Sequence, residues 1–259
     1  MTLDAPILEF DPTAEAIIEP NKTIQPRDIP KGCVLCFFPD ILQAHHEAGH
    51  LRQVHQLYSE MGYNPVYVME YEGQALTVTH PGVGGPLAAA FLEELIAFGC
   101  RHFIACGSCG VLDVDMALGQ VVVPETAVRD EGTSYHYLPP GREVAASPTA
   151  IAAINKVLNR HHVPHIPGKT WTTDAIYRET RAKMERRRAE GCLTVEMEAA
   201  TFFAVAQFRG VTFGQLLYGG DNLGGDEWDE RDYIGQGSTR EKLFWLAVEA
   251  CAALCKRSF

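Results

Sequence analysis

Leu193–Val205 reads LTVEMEAATFFAV, and this stretch sets how the rest of the chain is read. Two carboxylates flank a methionine, Glu196-Met197-Glu198, and an apolar helix is expected to follow without a break. Residues two apart on an extended segment point the same way, and at a helix start their charge meets the partial positive end of the dipole. Acids set against Ala, Thr and Phe must find hydrogen-bond donors or bind a ligand that supplies them. A sugar with vicinal hydroxyls is such a ligand: one carboxylate accepts two O–H groups, and a methionine can pack on the sugar face. The alternative is a helix with acidic first-turn residues, stabilised by a few tenths of a kcal/mol to about 1 kcal/mol. Taken alone, the stretch favours the second reading, and the other parts of the sequence shift the balance.

The composition narrows the field. The chain has 259 residues, 46% hydrophobic and 21% charged, enough core for one large α/β domain or two small ones. A formal charge of −11 argues against non-specific binding to nucleic acid or acidic membranes, although an anionic substrate can still meet a local basic pocket. No apolar run reaches the roughly 18–20 residues of a membrane span. The opening residues, MTLDAPILEFDP, lack the basic and apolar regions of a signal peptide, so the expectation is a cytoplasmic protein. The eight cysteines sit mostly in apolar runs, as Cys36, Cys106 and Cys251 do, and read as reduced, buried thiols.

On either side of the acidic stretch, strands and helices alternate. Residues 1–31 are Pro- and Asp-rich and read as a surface arm, and residues 32–259 as a single domain. Cys33–Phe38 reads as a buried strand ended by Pro39-Asp40, and Ile41–Met61 as a helix stopped by Gly62. Val66–Tyr71 and Ala75–Thr79 form a hairpin pattern around Glu72-Gly73. A glycine turn, His80–Pro86, opens a helix to about Phe98. Strands are expected at His102–Cys106, Gln120–Val123, His165–Thr172 and Thr212–Tyr218. Helices are expected at Pro148–His161, Thr180–Glu190 and Arg240–Lys256. Tyr135–Arg142 is an aromatic, proline-bearing loop and a candidate lid. The alternation, with no repeat or low-complexity linker, predicts one α/β domain with a largely buried central sheet.

Three glycine turns follow strands, at Gly82–Gly85, Gly107–Gly110 and Gly219–Gly220. Ligands of open α/β sheets bind at the carboxyl ends of strands. Glycine there lets backbone N–H groups approach an anion, and the Ser108 hydroxyl adds a donor. Each turn singly also serves as a plain tight turn. Together with Glu196, Glu198 and Asp221 they point to a site.

Gly82-Val-Gly-Gly-Pro86, Gly107-Ser-Cys-Gly110, Val195-Glu-Met-Glu-Ala-Ala200 and Asp221 after a strand resemble, in the same order, the motifs of the nucleoside phosphorylase family. That family includes hexameric purine nucleoside phosphorylases, uridine phosphorylases and methylthioadenosine nucleosidases, and the resemblance covers about residues 31–256. It implies a three-layer α/β sandwich around a mixed, partly barrel-like central sheet, assembled as homodimers or homohexamers. It implies cleavage of the N-glycosidic bond of a small-molecule nucleoside, by inorganic phosphate in the phosphorylases and by water in the nucleosidases, with no other cofactor and no metal. Carried over, Met197 and Glu198 would bind ribose, with Glu196 close behind. Gly84 and Ser108 would contact phosphate, and Ile176 and Tyr177 would line the base or sugar. Asp221 falls where purine-specific members carry their general acid, a role that requires a raised pKa. As a residue type after Gly-Gly, Asp221 serves equally as a turn cap.

The departures bear on phosphate. Ala105 stands where the phosphorylases carry an arginine two residues before Gly-Ser, and the turn Pro39-Asp-Ile-Leu-Gln-Ala44 lacks their arginine as well. Phosphate without bidentate guanidinium partners is held poorly. Arg52, Arg101, Arg129 and Arg178 are the candidate substitutes, with Arg178 nearest in sequence to pocket residues. Thr180-Arg181-Ala182 lacks the Gln-x-Arg of uridine phosphorylases, which favours a purine. A phosphate-independent nucleosidase is the runner-up. His46-Glu-Ala-Gly-His50 matches the H-E-x-x-H pattern of zinc peptidases, with both histidines on one face of the expected helix, and supplies a third, less favoured reading. Cys33-x-x-Cys36 and Cys106-x-x-Cys109 imitate zinc knuckles, but positions three apart on a strand face opposite sides.

Overall fold

The computed structural model describes residues 5–256. Residues 1–4 of the expected arm and residues 257–259 of the expected domain lie outside the described residues. In chain order the elements are α1 (Pro20–Thr23), β1 (Gly32–Cys36), α2 (Pro39–Glu47), β2 (Arg52–Ser59), β3 (Gly62–Tyr71), β4 (Gln74–Thr79), α3 (Gly85–Phe98), β5 (His102–Val111), β6 (Val121–Asp130) and β7 (Glu143–Ala145). They continue with α4 (Pro148–Arg160), β8 (His165–Thr173), α5 (Arg181–Ala189), β9 (Cys192–Glu196), α6 (Ala199–Arg209), β10 (Thr212–Asn222) and α7 (Gly237–Cys255).

The sheet runs β10-β6-β8-β9-β5-β1-β4-β3-β2, and β10 also pairs with β5. That extra pairing closes β5, β10, β6, β8 and β9 into a ring, while β1, β4, β3 and β2 extend from it as an open wing. Parallel pairs, such as β1 with β5 and β8 with β9, mix with antiparallel ones, such as β10 with β6 and β5 with β9. The architecture is the mixed, partly barrel-like sandwich that the motif resemblance implies.

Strand alternation builds the layers. Val34 and Cys36 on β1 join a core with Ile41 and Leu42 of α2, Ile154 of α4 and Phe244 of α7. Cys33 and Leu35 face the other way, into a core with Leu92 of α3 and Phe202 of α6. Cys33 and Cys36 therefore lie on opposite sides of the sheet, as their spacing requires. All eight cysteines are free thiols, seven of them buried. Among the described residues no helix is long and apolar enough to cross a membrane. The arm lies against the body, with the Arg27 amide donating to the Phe98 carbonyl at 3.0 Å and Glu19 paired to Arg209 at 3.4 Å.

The expected helix over Ile41–Met61 is corrected. Helix α2 stops at Glu47, Gly49 takes φ +78°, and residues 52–59 form the edge strand β2, antiparallel to β3. A left-handed glycine ends a helix readily, and the polar residues of β2 suit an edge. His46 and His50 thus do not share a helix face. His46 Nδ1 contacts the Leu51 carbonyl at 2.9 Å, while His50 Nδ1 contacts His45 Nδ1 at 3.0 Å. The zinc-peptidase reading loses its geometric premise, and among the described residues no three His, Cys, Asp or Glu side chains are placed to hold a metal. Smaller differences concern lengths: β6 runs past Val123 to Asp130, β10 past Tyr218 to Asn222, and α7 starts at Gly237. The hairpin holds in register, with Val66 opposite Thr79 and Tyr71 opposite Gln74.

Candidate active site

The acidic stretch is a strand, a break and a helix. β9 carries the chain to Glu196, Met197 and Glu198 turn it, and α6 begins at Ala199. The break separates the two carboxylates, which do not point the same way. Glu196 Oε2 accepts from the amides of Glu198 at 2.7 Å and Ala199 at 2.6 Å, so it caps α6 from the preceding strand. Its Oε1 accepts from the Thr172 hydroxyl at 2.6 Å, and Thr172 is its register partner on β8. The Thr172 oxygen in turn accepts from the Ala200 amide at 2.9 Å. Orphan amides at a helix start are satisfied this way, with the negative charge at the positive end of the dipole.

Glu198 leaves this turn in another direction. Its Oε1 accepts from the Gly84 amide at 2.6 Å. Gly84 has φ +82° and immediately precedes α3, so this carboxylate sits at the start of a second helix. The glycine turn is shaped from within, since the Gly82 amide donates to His80 Nδ1 at 3.0 Å. Both glutamates are buried. Burial pushes both carboxyls above their ordinary range, Glu198 further because Glu196 stands beside it. Met197 between them is half-buried. A third acid, Glu131, lies behind: it accepts from the hydroxyl of Thr201 on α6 at 2.8 Å and from the Ser134 amide at 2.9 Å. A Cβ on Gly85 would stand 2.6 Å from the Thr201 hydroxyl and 2.9 Å from that of Thr133, so only glycine lets α3 start here.

Asp221 comes to the same region from β10. The register of β10 on β5 shifts between Gly219 and Asn222, a bulge that re-aims the strand end. A Cβ on Gly110 would fall 3.0 Å from Val195 Cγ1 and 3.5 Å from Asp221 Oδ1. Gly110 is also the register partner of Val195, so Asp221 stands across one glycine from the strand that carries Glu196. The Trp228 indole N–H donates to Asp221 Oδ2 at 2.7 Å. Opposite lies a single helical turn, Ile176–Arg178, with Ile176 54% and Tyr177 94% exposed. Arg181 ties this segment to the loop after Asp221, donating to the Asp226 carbonyl at 2.7 Å and the Leu223 carbonyl at 3.4 Å. Glu179, between the turn and α5, is half-buried and its carboxyl is pushed up to about 7, by burial first and by Asp221 second.

Ser108 lies on β5 opposite Tyr218 of β10, whose hydroxyl donates to the Tyr233 carbonyl at 2.7 Å. Arg240 of α7 reaches the same hydroxyl, Nε to Oη 3.4 Å, and pairs with Asp40 at 3.1 Å. Of the four arginines considered from sequence, Arg178 lies on the turn that carries Ile176 and Tyr177, and the other three are placed elsewhere. Arg129 is buried and spent on its own loop, donating to Ser134 Oγ at 2.8 Å, Pro139 O at 2.7 Å and Leu138 O at 3.1 Å. Arg101 donates to the carbonyls of Ile96 and Cys100, both at 2.7 Å. Arg52 is exposed on the edge strand β2, and Arg178 is exposed on the turn after Ile176. By holding residues 134–139, Arg129 makes the expected lid a braced wall.

The structure thus joins Glu196, Met197, Glu198, Gly84 and Asp221, with Ile176 and Tyr177 on an exposed flank and Ser108 opposite Tyr218. Sequence reading missed Thr172, Glu131, Glu179, Trp228 and Arg240. Glu131 and Glu179 carried no signal, since their neighbours in sequence are charged, polar or glycine. Thr172 and Arg240 gain meaning only from partners on distant segments.

A family model described as the phosphorylase superfamily matches residues 32–258. Over 194 residues the chain is 34% identical to a guanosine phosphorylase of Halorubrum lacusprofundi, covering 71% of this chain and 78% of that protein. It is 30% identical over 162 residues to a uridine phosphorylase of Thermococcus kodakarensis, covering 56% of this chain and 57% of the relative. An AMP nucleosidase structure from Bacteroides thetaiotaomicron superposes with a TM-score of 0.72 at 23% identity, over 88% of this chain and 90% of that one, a likeness of fold. With its ring of five strands and its Val-Glu-Met-Glu turn in register, the chain belongs to the phosphorylase superfamily and is an enzyme of that family.

Proposed function

We propose that this enzyme cleaves the N-glycosidic bond of a purine nucleoside with inorganic phosphate, giving free base and ribose 1-phosphate. The observation that carries the reading is the placement of Glu198, a buried carboxylate at the helix start beside Gly84, with Asp221 across Gly110 from the same strand. Glu198 would accept from the 2′ and 3′ hydroxyls, with Met197 against the sugar face. Glu196 supports the turn from behind, through amides and Thr172. Cleavage passes through an oxocarbenium-like sugar, and the negative charge of Glu198 and of a phosphate oxygen would stabilise it. The departing base leaves more readily when protonated, and Asp221 would supply the proton. Ile176 and Tyr177 would flank the base; Gly84, Ser108 and Arg178 would meet phosphate. The 34% identity to a guanosine phosphorylase supports the purine. Phosphate is the co-substrate, with no other cofactor, and the working form is a cytoplasmic homodimer or homohexamer.

The test is base release from guanosine and inosine with and without phosphate, with ribose 1-phosphate assayed as product. Release that needs phosphate supports the proposal. An unchanged rate in phosphate-free buffer would replace it with the second reading, a nucleosidase using water. That reading is favoured by Ala105, by the missing arginine near Ala44 and by Arg240 being held by Asp40 and Tyr218.

A further inference from the structure

We propose that His80 is a positioning residue of this site: its bare Nδ1 holds the Gly82–Gly84 turn in the shape that presents the Gly84 amide. The inference rests on the nucleoside-cleaving reading only for what that amide meets during turnover. His80 follows Thr79, the last residue of β4, and its backbone is fixed from β3. Asn64 Nδ2 donates to the His80 carbonyl at 2.8 Å and to Thr79 Oγ1 at 3.0 Å, and the Thr79 hydroxyl donates onward to the Pro65 carbonyl at 2.7 Å. The His80 Nδ1 accepts the Gly82 amide at 3.0 Å, two residues ahead, the bond that Asn or Asp makes in an Asx turn. A ring nitrogen that accepts an N–H carries no proton, so the single proton of the neutral imidazole is on Nε2. The ring also stands edge-on to Phe37, with centroids 5.7 Å apart. Phe37 in turn packs against Phe202 of α6, and a Cβ on Gly107 would stand 3.0 Å from its ring. One side chain thus joins the turn after β4 to the segment after β1 and, through Phe37, to the glycine before Ser108.

The turn needs such a support. Gly82 and Gly84 both take φ +82°, and a Cβ on Gly82 would stand 2.7 Å from Leu87 Cγ. Glycine loses more freedom on ordering than any other residue, so an acceptor that bonds within the turn offsets part of that cost. Two residues beyond the bond to His80, the Gly84 amide meets Glu198 Oε1 at 2.6 Å and α3 begins. The arrangement is sensitive to protons. A proton on Nδ1 would set two N–H groups against each other across 3.0 Å, and the turn or the ring would have to move. Burial opposes that proton and holds the imidazole below its ordinary range, against a smaller upward pull from the Phe37 carbonyl. Phe37, Asn64 and Leu87 bring no charge to the ring or the turn. Among the described residues, the titratable side chain hydrogen-bonded to the turn from outside it is Glu198.

The test compares two substitutions. His80→Phe keeps a ring against Phe37 and removes the acceptor, whereas His80→Asn restores an acceptor, its Oδ1, in the Asx-turn position. With guanosine and phosphate at pH 8, His80→Phe should lose about 10-fold or more in kcat/KM, the larger part in KM, and His80→Asn should recover most of that loss. Below about pH 6.5, kcat/KM of the wild type should fall more steeply than that of His80→Asn, since Glu198 titrates in both proteins and the imidazole in one. Equal losses in the two variants, a His80→Phe enzyme that matches the wild type, or the same acid limb in wild type and His80→Asn overturns the proposal. Heteronuclear NMR of histidine-labelled protein reads the ring without turnover. The imidazole signal missing from His80→Asn should show a bare Nδ1 and a protonated Nε2 at pH 8, and a proton on Nδ1 overturns the assignment. If the wild type released no base from any nucleoside, the functional reading would fail, while the nitrogen signals would still decide the state of His80.

Discussion

The Gly84 amide donates to Glu198 Oε1 at 2.6 Å, joining the residue before α3 to the residue before α6. Two helix starts thus converge on one carboxylate. The dipoles of both helices favour its charge, whereas burial and Glu196 oppose it. A group balanced in this way can exchange an amide donor for the hydroxyls of a sugar at small cost.

Removing Glu198 should therefore damage turnover far more than folding. Glu198→Ala deletes a charge-assisted acceptor of two hydroxyls and is expected to cost several kcal/mol of transition-state stabilisation, on the order of 10²–10³ in kcat/KM. Steady-state kinetics check this. Near-normal kcat/KM in that variant would show that the sugar binds elsewhere.

The same carboxyl makes stability depend on pH. Its pKa is raised on folding from an ordinary 4.5, so the ligand-free folded state holds a proton that the unfolded chain has released and that sugar hydroxyls, which favour the charged form, would displace. The sign follows: the raised group costs nothing below about pH 4, where both states are protonated, and costs progressively more as pH rises towards the folded pKa. Glu198→Gln, always neutral and still able to accept from Gly84, should melt like the wild type at pH 5 and above it at pH 9. Melting curves of the two proteins at both pH values measure the difference. A gap that closes at high pH instead would contradict the direction of the shift.

Much of this was legible in the sequence because the relevant signals are local. Alternation exposed β1, β3, β4, β5 and β8, and glycine turns marked the ends at Gly84 and Gly110. The failure at β2 has a local cause too: Ala, Leu, Glu and Gln favour helix, and the left-handed Gly49 that ends α2 resembles a tolerated interior glycine. The site was legible as residue types and not as directions. Glu196 and Glu198, adjacent in pattern, diverge because the chain breaks between them, and the partner that fixes Glu196 is Thr172 on β8. Glu179 carries no sequence signal that separates it from the other acids of the chain, since its surroundings come from β10 and α5.

Thr172 provides a contrast with Glu198. Thr172→Val removes the O–H that satisfies Glu196 Oε1 and the oxygen that accepts from the Ala200 amide. Leaving buried polar atoms unpaired should cost about 1–3 kcal/mol of stability. Urea unfolding measures that loss. KM for nucleoside should move less than stability does, because the Thr172 hydroxyl acts through the α6 start. A large KM change at wild-type stability would place Thr172 in contact with substrate.

Gly110→Ala tests how closely the Asp221 and Glu196 strands must approach. The added methyl would stand 2.6 Å from Leu223 Cδ1 and 3.0 Å from Val195 Cγ1, so one of them must move. Leu223 is two residues from Asp221, and displacing it shifts the acid. We expect kcat to fall by about 10-fold or more with a smaller loss of stability, since an ångström of misplacement at a site is felt in turnover before folding. Activity and melting temperature measured together decide the outcome, and full activity would mean that the Asp221 position is not critical.

Trp228 should act through Asp221 alone. It is 62% exposed, so Trp228→Phe should leave the melting temperature near that of the wild type, while it deletes the N–H that holds Oδ2. Losing one hydrogen bond to a charged group corresponds to about 1.5–3 kcal/mol, roughly 10- to 100-fold in kcat/KM if the bond orients the acid in the transition state. The discriminating experiment is a double-mutant cycle with Asp221→Asn. If the indole works by orienting that carboxylate, its removal should cost little more once Asp221 has been replaced. Two full, additive losses would mean that Trp228 meets the substrate directly, by stacking on the base, and that the hydrogen bond is incidental.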